Sequence, residues 1–265
     1  MSTQEEPWAP GTPCWVDLMT TDRAAAWTFY QDVFGWEIVD TGEDFGHYGM
    51  AQVKGLPVAG LGEIPPGTPM PAAWTTYIAT TDVNATAAAI GANGGTVIMP
   101  AMEVADQGQM CVAMDPTGAV FGAWQADKMF GFGVANEPGS VVWNECRTRD
   151  AAVARHFYSA VFGYTYSVMD ADDDYQTIDG AGPGNTVGGI GRLDASLPES
   201  IPSHWMTYFM VEDADATAAK VTASGGEVRM GPWDTPIGRM GIFSDPQGAV
   251  FAIMAAPSGD QPAQA

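Results

Sequence analysis

The feature that most constrains this chain is that it repeats itself. The segment GTPCWVDLMTTDRAAAWTFYQDVFGW, starting at Gly11, aligns without a gap on GSVVWNECRTRDAAVARHFYSAVFGY, starting at Gly139. Trp15 thereby matches Trp143, Asp22 matches Asp150, and Phe29-Tyr30 matches Phe157-Tyr158. A second block, WTTYIATTDVNATAAAIGANGGTVIM from Trp74, matches WMTYFMVEDADATAAKVTASGGEVRM from Trp205, and DPTGAVF at 115–121 matches DPQGAVF at 245–251. Within each half a weaker echo, LMTTD at 18–22 against IATTD at 78–82, divides the half again. A chain duplicated in this way announces its folding unit: four related modules, two in residues 11–125 and two in 139–256, with a spacer at 126–138 and tails at 1–10 and 257–265. The pattern leaves open whether modules pair in sequence or exchange between halves.

Each module has the same local logic. In the first, Cys14–Met19 carries β-favouring residues, and Asp22 stands where its carboxylate can cap a helix. A helix of about three turns follows, with Ala25, Phe29, Val33 and Phe34 on one face and Gly35 placed to end it in the left-handed conformation. Strands are then expected at Trp36–Asp40, His47–Val53 and Val58–Gly62. The Asp-Pro-x-Gly runs at 115–118 and 245–248 read as tight turns, Pro fixing φ and Gly supplying the positive φ. The expected fold is α+β: four βαβββ modules forming two cupped, mostly antiparallel mixed sheets.

Composition removes several function classes. With 10 basic against 32 acidic residues the net charge is −22, which repels phosphate backbones and leaves no footprint for nucleic acid. No apolar run is long enough for a membrane span. The start carries Glu5 and Glu6 and reads as no signal peptide, so a cytoplasmic protein is expected. Cys14, Cys111 and Cys146 have no CxxC spacing and read as buried thiols. The acidic run at Asp170, Asp172, Asp173 and Asp174 lacks the Gly and Glu of a calcium loop, and the stretch GAGPGNTVGGIG at 180–191 leads into a strand, unlike a phosphate cradle.

The strand-Asp-helix opening with Phe-Tyr and Phe-Gly near the helix end, together with the Asp-Pro-x-Gly turn, resembles the vicinal oxygen chelate superfamily of glyoxalases, extradiol dioxygenases and bleomycin-resistance proteins. The likeness covers nearly the whole chain. More narrowly it resembles two-domain actinobacterial members, of the mycobacterial antigen type and from antibiotic gene clusters. In metal-using relatives, the resemblance implies, a first-strand His would stand at Trp15 and Trp143, a second His at Thr76 and Thr207, and a Glu at Gly122 and Ala252, with Gly60 and Gly189 on the equivalent strand of the odd modules. None of these is a ligand, and no metal and no cofactor are expected. His47, His156 and His204 show no spacing that would pair them locally.

What remains on the expected cup faces is aromatic, thioether and carboxylate. Strand alternation sets Asp17 and Met19 beside Trp15, and Glu145 and Arg147 beside Trp143. Trp124 and Met254 lie two residues beyond the lost Glu positions, and Met99, Met102, Met110, Met230 and Met240 fall on strands that would wall the cups. The candidate binding residues are Trp15, Asp17, His47, Met99, Met110, Trp124, Trp143, Glu145, Met240 and Met254, with no catalytic residue assigned. Indole and thioether surfaces suit flat polycyclic ligands, and the acidic balance points to a cationic one. The reading is therefore metal-free binding or sequestration of a cationic aromatic small molecule, an antibiotic or biosynthetic intermediate, in an accessory role in antibiotic biosynthesis or self-resistance. A homodimer is compatible with the sequence, which leaves the oligomeric state open. The alternative is an enzyme of the same superfamily, a lyase, isomerase or hydroxylase, with an atypical metal site or with acid–base chemistry through His47, Asp17 or Glu145.

Overall fold

The computed structural model describes residue 4 and residues 6–170, 174–180 and 185–257. Asp172 and Asp173 of the acidic run, and 181–184 of the glycine-rich stretch, lie outside the described residues. The first half comprises β1 (Pro13–Thr20), α1 (Arg23–Phe34), β2 (Glu37–Asp40), β3 (Gly49–Val53), β4 (Leu56–Glu63), β5 (Ala73–Ala79), α2 (Val83–Ala92), β6 (Thr96–Val104), β7 (Gly108–Met114) and β8 (Val120–Ala126). The second comprises β9 (Val141–Thr148), α3 (Ala151–Phe162), β10 (Thr165–Asp170), β11 (Tyr175–Asp179), β12 (Thr186–Arg192), β13 (His204–Val211), α4 (Ala214–Ala223), β14 (Glu227–Thr235), β15 (Gly238–Ser244) and β16 (Val250–Ala255). Four βαβββ modules result, as the repeat requires.

The modules pair in sequence. Each half forms one eight-stranded sheet, ordered β2-β3-β4-β1-β5-β8-β7-β6 and β10-β11-β12-β9-β13-β16-β15-β14. The two first strands of a half meet antiparallel at the centre, β1 on β5 and β9 on β13. Each also runs parallel to the last strand of its own module.

The helices begin where the sequence places their caps: the carboxylates of Asp22, Asp82, Asp150 and Asp213 each accept the backbone N–H three residues on, at 2.9–3.0 Å. Gly35 ends α1 at φ 71°. The buried face of α1 is Ala26, Phe29, Tyr30 and Val33, one position round from the expected stripe, because Tyr30 points at the second half. His47 lies in a turn with φ 56° before β3 and not on a strand.

The helix-bearing faces of the two sheets are pressed together. Phe29 and Tyr30 of α1 pack on Phe251 of β16, and Phe34 packs on Phe209 of β13. The Asp-Pro-x-Gly turns pin this layer. Asp245 accepts from Gln247 and Ala249 backbone N–H with one oxygen and from the Tyr30 hydroxyl, 3.1 Å away, with the other. Trp36 Nε1 donates to the Gly139 carbonyl and, reciprocally, the Tyr164 hydroxyl donates to the Gly11 carbonyl, both at 2.6 Å. At the centre the Thr76 and Thr207 hydroxyls each donate to Asn144 Oδ1 at 3.0 Å. Both sheets thus turn their other faces, the cup faces, outward.

Candidate functional site

Alternation along β1 sends Leu18 into the helix layer and Trp15, Asp17 and Met19 onto the cup face. The register then decides what stands beside them: Trp15 is opposite Tyr77, and Val16 is opposite Thr76. In the second half Trp143 is opposite Tyr208, and Asn144 is opposite Thr207. Thr76 and Thr207, the positions to which the resemblance assigns a second ligand, therefore face the inter-sheet layer. The tyrosines that follow them face the cup.

The result is one cluster built twice. In the first half Trp15 Nε1 donates to the Tyr48 hydroxyl at 3.1 Å, and the Tyr77 hydroxyl donates to Asp17 Oδ2 at 3.1 Å. In the second half Trp143 Nε1 donates to the Tyr175 hydroxyl at 2.9 Å. Tyr175 and Tyr208 in turn donate to the two oxygens of Glu145, at 2.7 and 2.9 Å. Glycines admit the tyrosines. A Cβ on Gly60 would lie 1.5 Å from the Tyr48 hydroxyl, one on Gly189 2.0 Å from that of Tyr175, and one on Gly122 2.1 Å from the Tyr77 ring.

One methylene separates the electrostatics of the two clusters. Glu145 reaches both tyrosines, and Arg147 Nε stands 4.0 Å from it with the guanidinium over the Tyr175 ring. Asp17 is shorter and has Met19 where the other half has Arg147; its Oδ1 is buried with no hydrogen-bond partner among the described residues. Burial pushes the Asp17 carboxyl up to about 7, against the lowering effect of the Tyr77 and Tyr48 hydroxyls. Burial also raises both Tyr77 and Tyr208, helped by the neighbouring carboxylates, so these tyrosines stay protonated donors.

This arrangement does not fit a divalent ion. The places implied for chelating side chains hold indoles, threonines, glycines and an alanine, tyrosine rings lie against the glycines Gly60, Gly122 and Gly189, and burial raises the one carboxyl at the centre of the first half. Among the described residues no group of three His, Cys, Asp or Glu side chains converges.

Access differs between the halves. The spacer after β8 folds back over the first cluster: Phe132 donates its N–H to the Cys14 carbonyl, and its ring packs on Trp15 at 5.7 Å and on Trp8 at 6.3 Å. Trp15 is left 5% exposed, and Trp124, whose Nε1 donates to the Met129 carbonyl, 7%. Trp143 remains half-buried, and among the described residues no ring stacks on it.

The other candidates are scattered. Met110 stands opposite Trp124, and Met240 opposite Met254, extending the two cup faces. Met99 lies on edge strand β6, 41% exposed. His47 bonds the Asp40 carboxylate through Nδ1 at 3.0 Å, away from the cluster; its neighbour Tyr48 enters the cup instead.

Sequence reasoning missed all four tyrosines and Phe132. Tyr77 and Tyr208 carry a signal, since they match in the duplicated blocks. Tyr48 and Tyr175 are hidden: they stand 33 and 32 residues beyond Trp15 and Trp143, so a gapless alignment sets them out of step.

The profile of the glyoxalase/bleomycin resistance protein/dioxygenase superfamily matches residues 14–122 and again 129–253. The chain is 45% identical over 251 residues to "Putative glyoxylase CFP32" of Mycobacterium tuberculosis, covering 92% of this chain and 94% of that one. It is 35% identical over 263 residues to "Anthracycline biosynthesis protein DauV" of Streptomyces sp. strain C5, covering 93% and 94%. Among solved structures it resembles the Mn(II)-bound glyoxalase from Novosphingobium aromaticivorans (TM-score 0.64, 17% identity, covering 93% of this chain and 82% of that one). It also resembles the 2,3-dioxygenase LapB from Pseudomonas sp. KL28 (TM-score 0.63, 15% identity, 96% and 97%). At these identities the structures share the fold.

Proposed function

Starting from the premise that this chain belongs to the glyoxalase/bleomycin resistance protein/dioxygenase superfamily, we propose that it binds a flat aromatic small molecule, without a metal, on the cup face of its second half. The observation that carries this reading is Trp143: an indole oriented by its bond to Tyr175, half-buried, at a position where chelating relatives would place an imidazole. Met240 and Met254 continue the surface with adaptable thioethers.

Magnitudes are adequate. Burying about 300 Å² of aromatic ligand at roughly 25 cal/mol/Å² supplies at most about 7 kcal/mol. Stacking adds about 1 kcal/mol, against a substantial association cost, which leaves micromolar affinity. A cationic ligand is favoured by the overall charge of −22 and not by Glu145, which already faces Arg147. Relatives named for anthracycline biosynthesis support an accessory role, sequestering or presenting such a polycyclic compound during its synthesis or in self-protection.

Titrating intrinsic tryptophan fluorescence with proflavine, a flat tricyclic cation, tests this. Saturable quenching at micromolar ligand, unchanged by EDTA, is expected. Trp143→Leu should weaken binding about tenfold, while Trp15→Leu leaves it unchanged. Quenching that fails to saturate, or that needs a divalent metal, would overturn the reading.

The enzymatic alternative has one observation in its favour, the Asp17 carboxyl raised to about 7, the range of a working acid–base group. The Asp17 side chain is buried, with Oδ2 bonded to Tyr77, so the binding reading is preferred.

A further inference from the structure

The two cup faces differ at one more place, at the end of the sheet away from the tryptophan. On β9 and β13 Arg147 is opposite His204; at the same positions of the first half Met19 is opposite Ala73. One half has a cation and an imidazole where its duplicate has a thioether and a methyl group.

His204 lies on the cup face because its neighbour Trp205 is turned into the helix layer, where its Nε1 donates to the Tyr158 hydroxyl at 2.7 Å. Its ring is fixed from behind: Nδ1 is 2.8 Å from the Pro202 carbonyl. A carbonyl oxygen can only accept, so Nδ1 carries the hydrogen and, in the neutral ring, Nε2 presents a lone pair. Burial and the adjacent Arg147 hold the imidazole below its ordinary range, with the Pro202 carbonyl and Glu145 pulling the other way. Among the described residues no hydrogen bond reaches Nε2. Tyr175 bridges the distance to the platform, its hydroxyl on Trp143 and its ring under Arg147. From the Trp143–Tyr208 pair to the Arg147–His204 pair is about 13 Å of strand, a span suited to three or four linearly fused rings.

Resting on the binding reading above, we propose that His204 forms the polar end of the second-half site, its Nε2 accepting a hydrogen bond from a phenolic hydroxyl on the far ring of the bound aromatic. The ligand class narrows accordingly to hydroxylated polycyclic aromatics. The first half, with Ala73 at this place, lacks the acceptor.

The test compares 2-hydroxyanthraquinone with its methyl ether, 2-methoxyanthraquinone, by tryptophan quenching. Neither carries a positive charge, and the ether has no hydrogen to donate. Wild-type protein is expected to bind the hydroxy compound roughly three- to tenfold more tightly. His204→Leu should erase that preference, and His204→Gln, whose side-chain carbonyl still accepts, should keep part of it. A preference that survives in His204→Leu, or that is absent from the wild type, overturns the inference. If His204→Leu does not fold, the ¹⁵N resonance of His204 Nε2 in the wild type decides, since it should shift on adding the hydroxy compound and not the ether. Wild-type protein that binds proflavine but neither anthraquinone overturns this inference alone; failure to bind all three removes the binding reading as well.

Discussion

Asp17 and Glu145 occupy matching positions in the duplicated sheet, yet their surroundings differ: the longer Glu145 accepts from Tyr175 and Tyr208 at 2.7 and 2.9 Å, whereas Asp17 accepts from Tyr77 at 3.1 Å with one oxygen and leaves the other buried without a hydrogen bond among the described residues. The Asp17 carboxyl is raised from 3.8 to about 7 by burial, so its linkage runs opposite to that of an ion-paired acid. Below about pH 4 both folded and unfolded chains hold the proton, and its contribution is fully present. Between about pH 4 and 7 the folded state binds more protons, and stability falls as the pH rises through the folded value; above that the loss, of a few kcal/mol at most, is complete. Asp17→Asn cannot ionise, so urea midpoints at pH 5 and pH 8 should show the variant gaining on the wild type at pH 8. An equal difference at both values would mean that Asp17 is ionised throughout. The two indoles and two carboxylates at the heart of the clusters were legible in the sequence from the repeat, the resemblance and strand alternation together. The tyrosines were not, because one pair is offset by a single residue between halves and the other sits one position beyond the threonines that the resemblance singles out, and a slip of one residue along a strand exchanges the two faces.

At the scale of elements, the helix starts, the ends of α1 and α3 at Gly35 and Gly163, and the Asp-Pro-x-Gly turns followed from caps and glycines, because these are local rules. The behaviour of the spacer did not, since nothing local says that Phe132 should return to β1 and lie on Trp15. This strap covers Trp15 in the first cup, whereas among the described residues no ring stacks on Trp143 in the second. Phe132→Ala should cost about 3–5 kcal/mol, as for a buried aromatic in a core, and expose Trp15. Acrylamide quenching would then rise by one accessible tryptophan, and a Trp15→Leu background should cancel that rise. An unchanged quenching constant would place Trp15 in solvent already.

At the scale of the whole molecule the halves interlock. Sequential pairing gives each half its own sheet, while the core is shared: α1 packs on the last module and α2 on α3, with Phe209, Phe243 and Phe251 buried in one cluster with Phe29 and Tyr30. Fully burying each such side chain contributes roughly 1.5–3 kcal/mol, which neither half recovers alone. Calorimetry should therefore show one transition whose van't Hoff and calorimetric enthalpies agree; two resolved transitions would show halves that fold independently. The repeat foretold four modules but left their pairing undecided, because hydrophobic pattern marks a buried face and not its partner.

The central claim is that an indole, a carboxyl and two tyrosines stand, in both halves, where the superfamily's chelating relatives grip an ion. Electron paramagnetic resonance of Mn(II) added at one equivalent tests it most directly. The signal of free aqueous Mn(II) should persist at full intensity at micromolar protein, with Asp17→Asn indistinguishable from the wild type. Loss of that signal at one ion per chain, restored by Asp17→Asn or Glu145→Gln, would contradict the account.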